Sequence, residues 1–503
     1  MPHDLGEGRL GALGWVNSFA RATVAGVQVF NLTKTLPVEP YGQSGPALLT
    51  RNTTRRAWNA TFEIMKGGIK RVAMLGVPGI GKSRNLALGL WHLVTDQLPD
   101  GILQPEAIVY EARQSKTVFL FAKQGGEWKA KSLPWSKWAA DDCKYLKVAK
   151  NWYLVDASAV LSTPMLFAKT VIACSPDRNH YSYFVKDGGQ CVFVEAFRLT
   201  EVEACHPWFE TQVKQEDMRE RFQQVGGALR TLLANGEIYE EAVQLQRAEA
   251  KDFMTVQRAF EGDLSTFEEK KMPTRLFTYL SADGISKKVT VCSPAAATLL
   301  VDEHYDKLVA LWSAGKPVSR YAVEECVGPL LTTSWPGKQG FAACEVTNAA
   351  QPAGKRAQWN RPPVNDFQLK EGLQLLECDT DQIFDDRWRK AVQKGSLDGR
   401  VLHSPENYPG IDYLLDFNHG IQVTSSNTHS IAKAFREKLK KMFGNATQPC
   451  SFTLTFLITG DPQQFTPNRS DYKALMDMKD PQKLFDNVRV QVVQIPKARN
   501  SLS

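Results

Sequence analysis

The chain has 503 residues, of which 43% are hydrophobic and 23% are charged, values typical of folded globular proteins rather than of disordered chains. Its nine cysteines form no C-x-x-C or zinc-type spacing, which favours reduced thiols over a disulfide or zinc scaffold. No signal peptide and no apolar run long enough for a membrane helix are found, so we expect a nuclear or cytoplasmic protein without a membrane partner.

The predicted elements divide the chain into five regions. Residues 1–65 form an N-terminal leader region, marked by glycine and proline turns and ending in a basic helical stretch. Residues 66–205 alternate strands and helices, and residues 206–272 are charged and helical in period. Residues 273–370 are mixed α+β and end in a linker, and residues 371–503 form a C-terminal domain.

Strands in the second region are rich in Val, Ile and Leu without alternation, which indicates an α/β domain with a parallel sheet buried on both faces. A helix over Arg84–Val94 follows the first strand, and a hairpin turning at Gln124-Gly125-Gly126 is inserted after the second. The predicted strands are Arg71–Leu75, Ala107–Glu111, Trp152–Asp156, Thr170–Cys174 and Cys191–Val194.

A phosphate-binding motif lies between the first strand and the first helix. It matches G-x-x-x-x-G-K-[ST] at every fixed position and reads Gly76-Val77-Pro78-Gly79-Ile80-Gly81-Lys82-Ser83. The glycines let backbone N–H groups wrap the phosphates, Lys82 supplies positive charge to the β- and γ-phosphates, and Ser83 offers a hydroxyl to Mg²⁺. The sequence therefore predicts a site for ATP or GTP with Mg²⁺, against the alternative of a chance glycine turn.

Residues at the ends of neighbouring strands are the candidate partners of this P-loop. Asp156 is predicted to hold Mg²⁺, with an N-cap role as the alternative. Because Ala157 follows it, a water-activating base must lie elsewhere, and Glu111 is the candidate, with a structural carboxylate as the alternative. Ser175, with Arg178 near it, is predicted to contact the γ-phosphate or the attacking water, although an ordinary loop would explain both residues equally well.

The C-terminal domain has the predicted order α-β-β-β-α-β, which is that of the restriction-endonuclease-like fold. Such nucleases hold Mg²⁺ with acidic residues of a P-D…(D/E)-x-K pattern across a hairpin. Asp412 would be the first acidic residue, while Gln422 and Thr424 occupy the positions of the second acid and the lysine. Gln422 could ligate a metal through its carbonyl, but Thr424 cannot replace the charge of lysine. Asp416 is expected on the same face as Asp412 by the two-residue period.

A helix predicted over His429–Phe443 has an apolar face and a basic face. This pattern suits the phosphate backbone of DNA or RNA, with a solvated surface helix as the equal alternative. His429 is expected to cap or pack, with contact to a phosphate or a part in catalysis as the alternative. The apolar positions are Ile431, Phe435, Leu439 and Met442, and the basic ones are Lys433, Arg436, Lys438, Lys440 and Lys441.

Four segments together resemble two related groups, the retrotransposon hot spot proteins of trypanosomatids and the Crinkler effectors of oomycetes and fungi. These segments are Leu75–Ser83, Ile108–Glu111, Tyr408–Asp412 and Ile421–Thr424. The resemblance covers about residues 55–460 and implies a P-loop NTPase joined to a nuclease-like module. It implies that the P-loop and Asp156 carry nucleotide and Mg²⁺, that Asp412 and Gln422 form the nuclease-like site, and that the protein acts in the nucleus.

Three candidate functions follow from these predictions. The first is an ATP-dependent nucleic-acid enzyme whose NTPase controls a Mg²⁺-dependent nuclease, favoured by the element order and the basic helix. The second is a non-catalytic, nucleotide-switched regulator or a secreted effector that binds chromatin or host proteins, favoured by the missing lysine. Residues 1–59 contain no Crinkler-type LxLFLAK header, which favours the hot spot group or a protein used inside its own cell. A P-loop kinase is a third function, disfavoured by the large C-terminal half.

Overall fold

A computed structural model shows the fold of the chain in two compact units, Met1–Ala296 and Ala297–Ser503. The finer boundaries at 65/66, 205/206, 272/273 and 370/371 stay predictions. No helix among the described residues is long and apolar enough to cross a membrane. The longer described ranges are 51–95, 98–112, 116–134, 143–156, 167–261, 273–313, 374–378, 380–405, 408–424, 433–443, 450–458 and 485–494, and shorter ones are 3–4, 21–24, 27–31, 47–50, 326–327, 343–345, 347–348, 359–360, 428–429, 431, 465–467, 472 and 475.

The first unit alternates strands and helices. Its strands are β1 (His3–Asp4), β2 (Arg21–Val24), β3 (Val27–Asn31), β4 (Ala47–Thr50), β5 (Arg71–Leu75), β6 (Ala107–Ala112), β7 (Thr117–Gln124), β8 (Glu127–Pro134), β9 (Trp152–Asp156), β10 (Lys169–Cys174), β11 (Gln190–Phe193), β12 (Phe277–Leu280) and β13 (Lys288–Val291). Its helices are α1 (Asn52–Lys66), α2 (Lys82–Val94), α3 (Arg178–Lys186), α4 (Leu199–Cys205), α5 (Gln215–Val225), α6 (Leu229–Leu232), α7 (Gly236–Ala250) and α8 (Phe253–Glu261), with 3₁₀ turns at Lys144–Lys147 and His206–Trp208.

The main sheet of this unit has the order β1-β8-β7-β6-β9-β10-β5-β11. Strands β6, β9, β10, β5 and β11 run parallel, and β7 and β8 extend the sheet as an antiparallel hairpin. The predicted parallel sheet and inserted hairpin are both confirmed, and each predicted strand is met within one residue at either end. Strand β10 lies between β5, which leads into the P-loop, and β9, which ends in Asp156.

Helix α1, at the end of the predicted leader region, belongs to the core under this sheet. Trp58 and Phe62 are buried, and the Trp58 ring lies against α2, where Gly89 leaves room for it. A Cβ at Gly89 would lie 2.0 Å from the indole. The indole N–H of Trp58 donates to the Asn85 carbonyl at 2.9 Å. Burial of each of these two aromatic side chains stabilises the unit by at most roughly 3 kcal/mol. Helix α1 therefore anchors α2, the helix that leaves the P-loop.

The helical region differs from its prediction at two breaks. The predicted helix Glu216–Leu233 is split into α5 and α6 because Gly226 adopts φ 71°, in the left-handed region. The predicted helix Ile238–Phe260 is split into α7 and α8, where Asp252 accepts hydrogen bonds from the backbone and hydroxyl of Thr255. The first break brings α6 to the P-loop.

The described residues of the second unit form a mixed seven-stranded sheet and two short two-stranded sheets. The strands of this unit are β14 (Ala343–Glu345), β15 (Thr347–Asn348), β16 (Trp359–Asn360), β17 (Gln374–Glu377), β18 (Arg400–His403), β19 (Tyr413–Asp416), β20 (His419–Thr424), β21 (Thr428–His429), β22 (Cys450–Ile458), β23 (Thr466–Pro467) and β24 (Phe485–Gln494). Its helices are α9 (Pro294–Ser313, which begins three residues before the unit boundary), α10 (Asp381–Lys394) and α11 (Lys433–Phe443). The seven-stranded sheet has the order β14-β24-β22-β20-β19-β18-β17, and the two-stranded sheets are β15-β16 and β21-β23.

The predicted α-β-β-β-α-β order is met by α10-β18-β19-β20-α11-β22, with the two-residue strand β21 inserted between β20 and α11. Strand β19 runs antiparallel to β18 and β20, whereas β20, β22 and β24 are parallel. The predicted start of the last helix at His429 is wrong, since Thr428 and His429 form β21, paired with β23, and α11 begins at Lys433. Both helices contribute to one core with the sheet, where Trp388 donates its indole N–H to the Phe417 carbonyl at 2.8 Å.

Candidate functional site

The P-loop fills the turn between β5 and α2. Gly79 and Gly81 have φ angles of 84° and 87°, which disfavour side chains, and Gly81 is the residue before the first turn of α2. A Cβ at Gly76 would lie 2.5 Å from the Ile80 side chain and 2.7 Å from the Val194 carbonyl oxygen. The glycines of the motif are therefore required by the backbone path, which ends at a helix N-terminus, where N–H groups and the helix dipole favour an anion.

Lys82 lies at the start of α2 and folds back over the loop. Its Nζ donates to the Val77 carbonyl oxygen at 2.8 Å. Burial lowers the pKa of Lys82 to about 8, with Arg230 acting in the same direction and Cys174 and Asp156 opposing it. The surroundings of Lys82 therefore do not fully stabilise its charged form, and a bound phosphate would stabilise it further.

Ser83 and Asp156 are brought together as the sequence predicts. The Ser83 hydroxyl donates to Oδ1 of Asp156 at 2.8 Å, and Asp156 is 8% exposed at the carboxyl end of β9. Tyr110 donates its hydroxyl to the Ser83 carbonyl oxygen at 3.4 Å, and burial, with a smaller effect of Asp156, raises the pKa of Tyr110. The hydroxyl and the carboxylate are hard oxygen ligands of the kind that Mg²⁺ takes beside phosphates and water.

Glu111 lies deeper in the sheet than Asp156. It pairs with Val155 of β9, whereas Ala112 is the residue opposite Asp156, so the two carboxylates point to opposite faces. The buried Glu111 carboxylate accepts a short hydrogen bond from the Tyr153 hydroxyl. The structure does not bring Glu111 to Asp156, and its role as a base stays a prediction.

Ser175 follows β10 at the edge of the sheet that carries the P-loop. Its hydroxyl lies 2.8 Å from Nδ1 of His180 in α3. Asp177 caps α3 by accepting from the Asn179 N–H at 3.0 Å, and Arg178 is the first residue of that helix. Ser175 is therefore placed between the P-loop strand and the Asp156 strand, and its contact with nucleotide stays a prediction.

Arg230 is a residue of the nucleotide site that the sequence analysis missed. Its backbone N–H donates to the Gly79 carbonyl oxygen at 3.1 Å, and a Cβ at Gly79 would lie 3.1 Å from the Arg230 Cβ. The segment before it is held at Phe197, whose N–H donates to the Gly227 carbonyl oxygen at 3.0 Å. Helix α6 thus places an exposed guanidinium-bearing residue on the P-loop. The glycine pair at 226–227 was the available sequence signal.

Asp412 and Gln422 of the C-terminal domain also meet. The Gln422 side-chain amide donates to Oδ2 of Asp412 at 2.7 Å, and the Val423 backbone N–H donates to the same oxygen at 2.6 Å. Asp412 is 6% exposed. In the described part of the chain, no group of three or more His, Cys, Asp and Glu residues could hold a metal ion. This carboxylate oxygen is engaged by amide donors, as in a structural hairpin lock.

Asp416 and Thr424 occupy different positions relative to the pair of Asp412 and Gln422. A register shift between Leu414 and Asp416 breaks the two-residue period, and Asp416 pairs with His419, the first residue of β20. The prediction that Asp416 shares a face with Asp412 is therefore wrong. Thr424 ends β20 beside Ile458 of β22, on the same side of the strand as Gln422.

Residues 408–411, which lead into Asp412, are held in place by packing. The Tyr408 hydroxyl donates to Oδ1 of the buried Asp385 at 2.6 Å, and burial raises the pKa of this tyrosine. Gly410 has φ 85°, and a Cβ there would lie 2.4 Å from the Phe435 ring. These residues fix the approach of the chain to Asp412 between α10 and α11.

The basic face of α11 is partly used inside the domain. The Nζ of Lys438 donates to both oxygens of Asp385 at 2.8 and 3.0 Å. Lys440 pairs with Glu437 at 3.3 Å, and Arg436 donates to a carbonyl oxygen of its own unit. The predicted apolar face is buried as expected. The positive charge left for a partner is therefore smaller than the sequence alone indicates.

No protein-family model and no curated protein matches the chain. Among solved structures, it is similar to a closed-state cryo-EM reconstruction of Hsp104 with ATPγS and FITC casein, with 11% sequence identity and a TM-score of 0.27. The match covers 88% of this chain and 71% of that one. The resemblance to Crinkler and retrotransposon hot spot proteins stays a prediction.

Proposed function

We propose that the first unit binds ATP or GTP with Mg²⁺ and hydrolyses it slowly. The observation that carries this proposal is the contact of Ser83 with Asp156 at the end of a P-loop whose backbone path requires its glycines. Slow turnover is inferred because Ala157 follows Asp156 and because Tyr153 engages the Glu111 carboxylate.

Each residue has a separate task in this mechanism. Backbone N–H groups of the P-loop bind the phosphates, and Lys82 leaves the Val77 carbonyl to neutralise them. Ser83 and Asp156 would hold Mg²⁺, which supplies charge stabilisation to the β- and γ-phosphates when bound. Their present hydrogen bond keeps both oxygens within reach of one ion.

Asp156→Asn should remove most of the Mg²⁺ dependence of nucleotide binding. The amide retains the shape of the side chain but loses the negative charge, so we expect Mg²⁺ affinity to fall by roughly tenfold or more. Titration of a fluorescent ATP analogue with and without Mg²⁺ measures the effect. Asp100→Asn, at an exposed position, is the matched control. Equal Mg²⁺ dependence in wild type and Asp156→Asn would refute the assignment.

We also propose that Arg230 contacts the γ-phosphate. Helix α6 contacts Gly79, and the charge of Arg230 contributes to the lowered pKa of Lys82. Arg230→Ala should weaken ATP binding by about tenfold while leaving ADP binding nearly unchanged, as expected for loss of a charged hydrogen bond. Competition of ATP and ADP against a fluorescent nucleotide separates the two effects. Arg219→Ala, an exposed arginine on α5, is the control. Equal losses for ATP and ADP would show that Arg230 only supports the loop.

For the second unit, we infer a restriction-endonuclease-like domain without nuclease activity. The element order supports the fold, and the donors that engage Asp412 support the lack of metal chemistry. This combination favours a nucleotide-switched regulator, related to the Crinkler and hot spot groups and acting in the nucleus or cytoplasm, over a nuclease. Lys433, at the start of α11, is an exposed position left for DNA or RNA.

A further inference from the structure

The edge of the main sheet opposite the P-loop carries a group of lysines around an exposed aromatic ring. This group, called the lysine edge, consists of Lys70, Lys144, Lys147, Phe167 and Lys169. Lys70 precedes β5, Lys169 begins β10, and the 3₁₀ turn at Lys144–Lys147 precedes β9. Because these are the amino ends of parallel strands, and the nucleotide site lies at their carboxyl ends, the length of the strands separates the lysine edge from the nucleotide site.

Backbone hydrogen bonds hold the parts of the lysine edge together. The Leu146 carbonyl oxygen accepts from the N–H groups of Phe167 and Ala168, both at 3.0 Å. The Thr170 N–H donates to the Lys70 carbonyl oxygen at 2.7 Å. The 3₁₀ turn, Phe167 and Lys70 therefore form one surface with fixed spacing.

Positive charge accumulates on this surface. Lys144 and Lys147 are exposed and lie three residues apart in a 3₁₀ turn, so their side chains project on the same side. Burial and the neighbouring Lys70 lower the pKa of Lys169. The nearby Glu106 carboxylate pairs with Lys150 at 2.6 Å. An anion at the lysine edge would relieve the repulsion between its ammonium groups.

Phe167 distinguishes the lysine edge from a purely charged surface. Its side chain is 52% exposed, and Nζ of Lys70 lies 5.8 Å from the ring centroid. Val148, 37% exposed, directly follows the 3₁₀ turn at Lys144–Lys147. A half-exposed ring with an ammonium group near it can stack on a base while the lysines contact phosphates.

We propose that the lysine edge binds single-stranded nucleic acid. Phe167 stacks on one base, and Lys70, Lys144, Lys147 and Lys169 contact the phosphates around it. An acidic peptide would use the lysines but not the ring. An anionic membrane would need a larger apolar surface than one phenylalanine and one valine.

Fluorescence anisotropy of the full chain with a labelled oligothymidylate at low salt tests this proposal. The double variant Lys144→Glu/Lys147→Glu should bind at least tenfold more weakly, and its binding should depend less steeply on salt, since about 0.7 ions are released per single-strand phosphate contact. Phe167→Ala should weaken binding by roughly tenfold with little change in the salt dependence. Lys214→Glu/Lys251→Glu, exposed lysines of the helical region, gives the same change in charge and should bind as the wild type does.

Nucleotide binding and the thermal unfolding midpoint of each variant serve as folding controls, because the substitutions lie on the surface and away from the P-loop. The proposal is overturned if the wild type does not bind the oligonucleotide, or if Phe167→Ala binds it unchanged. It is also overturned if polyglutamate or anionic vesicles compete as well as unlabelled oligothymidylate at equal charge concentration. Equal weakening in the charge-matched control would show a net-charge effect and would equally reject the lysine edge.

Discussion

Lys82→Ala should reduce nucleotide turnover to background and weaken ATP binding by at least about tenfold. The ammonium group is the positive charge nearest to the loop, and charged hydrogen bonds to phosphate contribute roughly 1.5–3 kcal/mol each. The substitution removes that charge while leaving the glycine turn and the Ser83–Asp156 contact in place. Initial rates of phosphate release, with binding of a fluorescent ATP analogue, measure both effects.

The pH dependence of binding gives an independent test of the same residue. The pKa of Lys82 is lowered to about 8, chiefly by burial. Bound phosphates stabilise the charged form and raise this pKa, so ATP binding should be coupled to proton uptake. Affinity should be constant well below pH 8 and should fall by up to tenfold per pH unit as pH rises above 8. Lys82→Arg keeps its charge over this range and should lose the dependence.

Lys214→Ala is the control for a lost surface charge, since this lysine is exposed and its side chain makes no capping hydrogen bond to α5. Turnover that survives in Lys82→Ala would contradict a P-loop mechanism. A wild type whose ATP affinity does not change between pH 7 and 9 would show that the lysine is fully charged before nucleotide binds. These two outcomes concern different steps and can be told apart.

The P-loop and its strand neighbours could be predicted because their signals are local. An unbroken apolar run such as Trp152–Val155 is buried as a central parallel strand, and the acid that ends it arrives at the P-loop edge. The glycines encode a backbone path that needs no distant contact to be recognised. For these residues, spacing in the sequence is enough to predict position in the fold.

Other features depend on contacts between distant segments and could not be predicted. Arg230 reaches Gly79 although the two residues are 151 positions apart in the sequence. Lys438 was predicted to face nucleic acid, but its ammonium group donates to the buried Asp385. The register shift before Asp416 changes which residues share a face of the hairpin. In each case, the residue type was read correctly, but its partner is set by packing that periodicity does not encode.

The prediction of a nuclease-like site depended most on contacts that the sequence pattern does not encode. The spacing of Asp412 and Gln422 indicated two side chains meeting across a hairpin, and they do meet. Their chemistry is that of an amide donor on a carboxylate, which satisfies the buried charge inside the protein. Spacing alone cannot distinguish a metal site from such a lock.

Asp412→Ala should therefore destabilise the second unit rather than abolish a reaction. The substitution leaves the buried Val423 N–H and the Gln422 amide without their acceptor, at a cost of roughly 2–5 kcal/mol to the free energy of unfolding. Asp412→Asn retains one acceptor oxygen and should cost less. Thermal or denaturant unfolding, followed by near-UV circular dichroism, measures the losses. Asp386→Ala, which removes a half-exposed carboxylate in a surface ion pair on α10, should have little effect.

Metal removal separates the two roles of Asp412. If the carboxylate is a structural lock, Mg²⁺ and EDTA should leave the unfolding of the second unit unchanged, and the wild type should not cleave DNA or RNA. Mg²⁺-dependent cleavage that disappears in Asp412→Asn without loss of stability would instead establish a catalytic metal site. A metal ion at Oδ2 of Asp412 would compete with two amide donors, which already lie within 2.7 Å of that oxygen. A metal ion at that oxygen would have to displace at least one of them, and the stability measurement would detect the change.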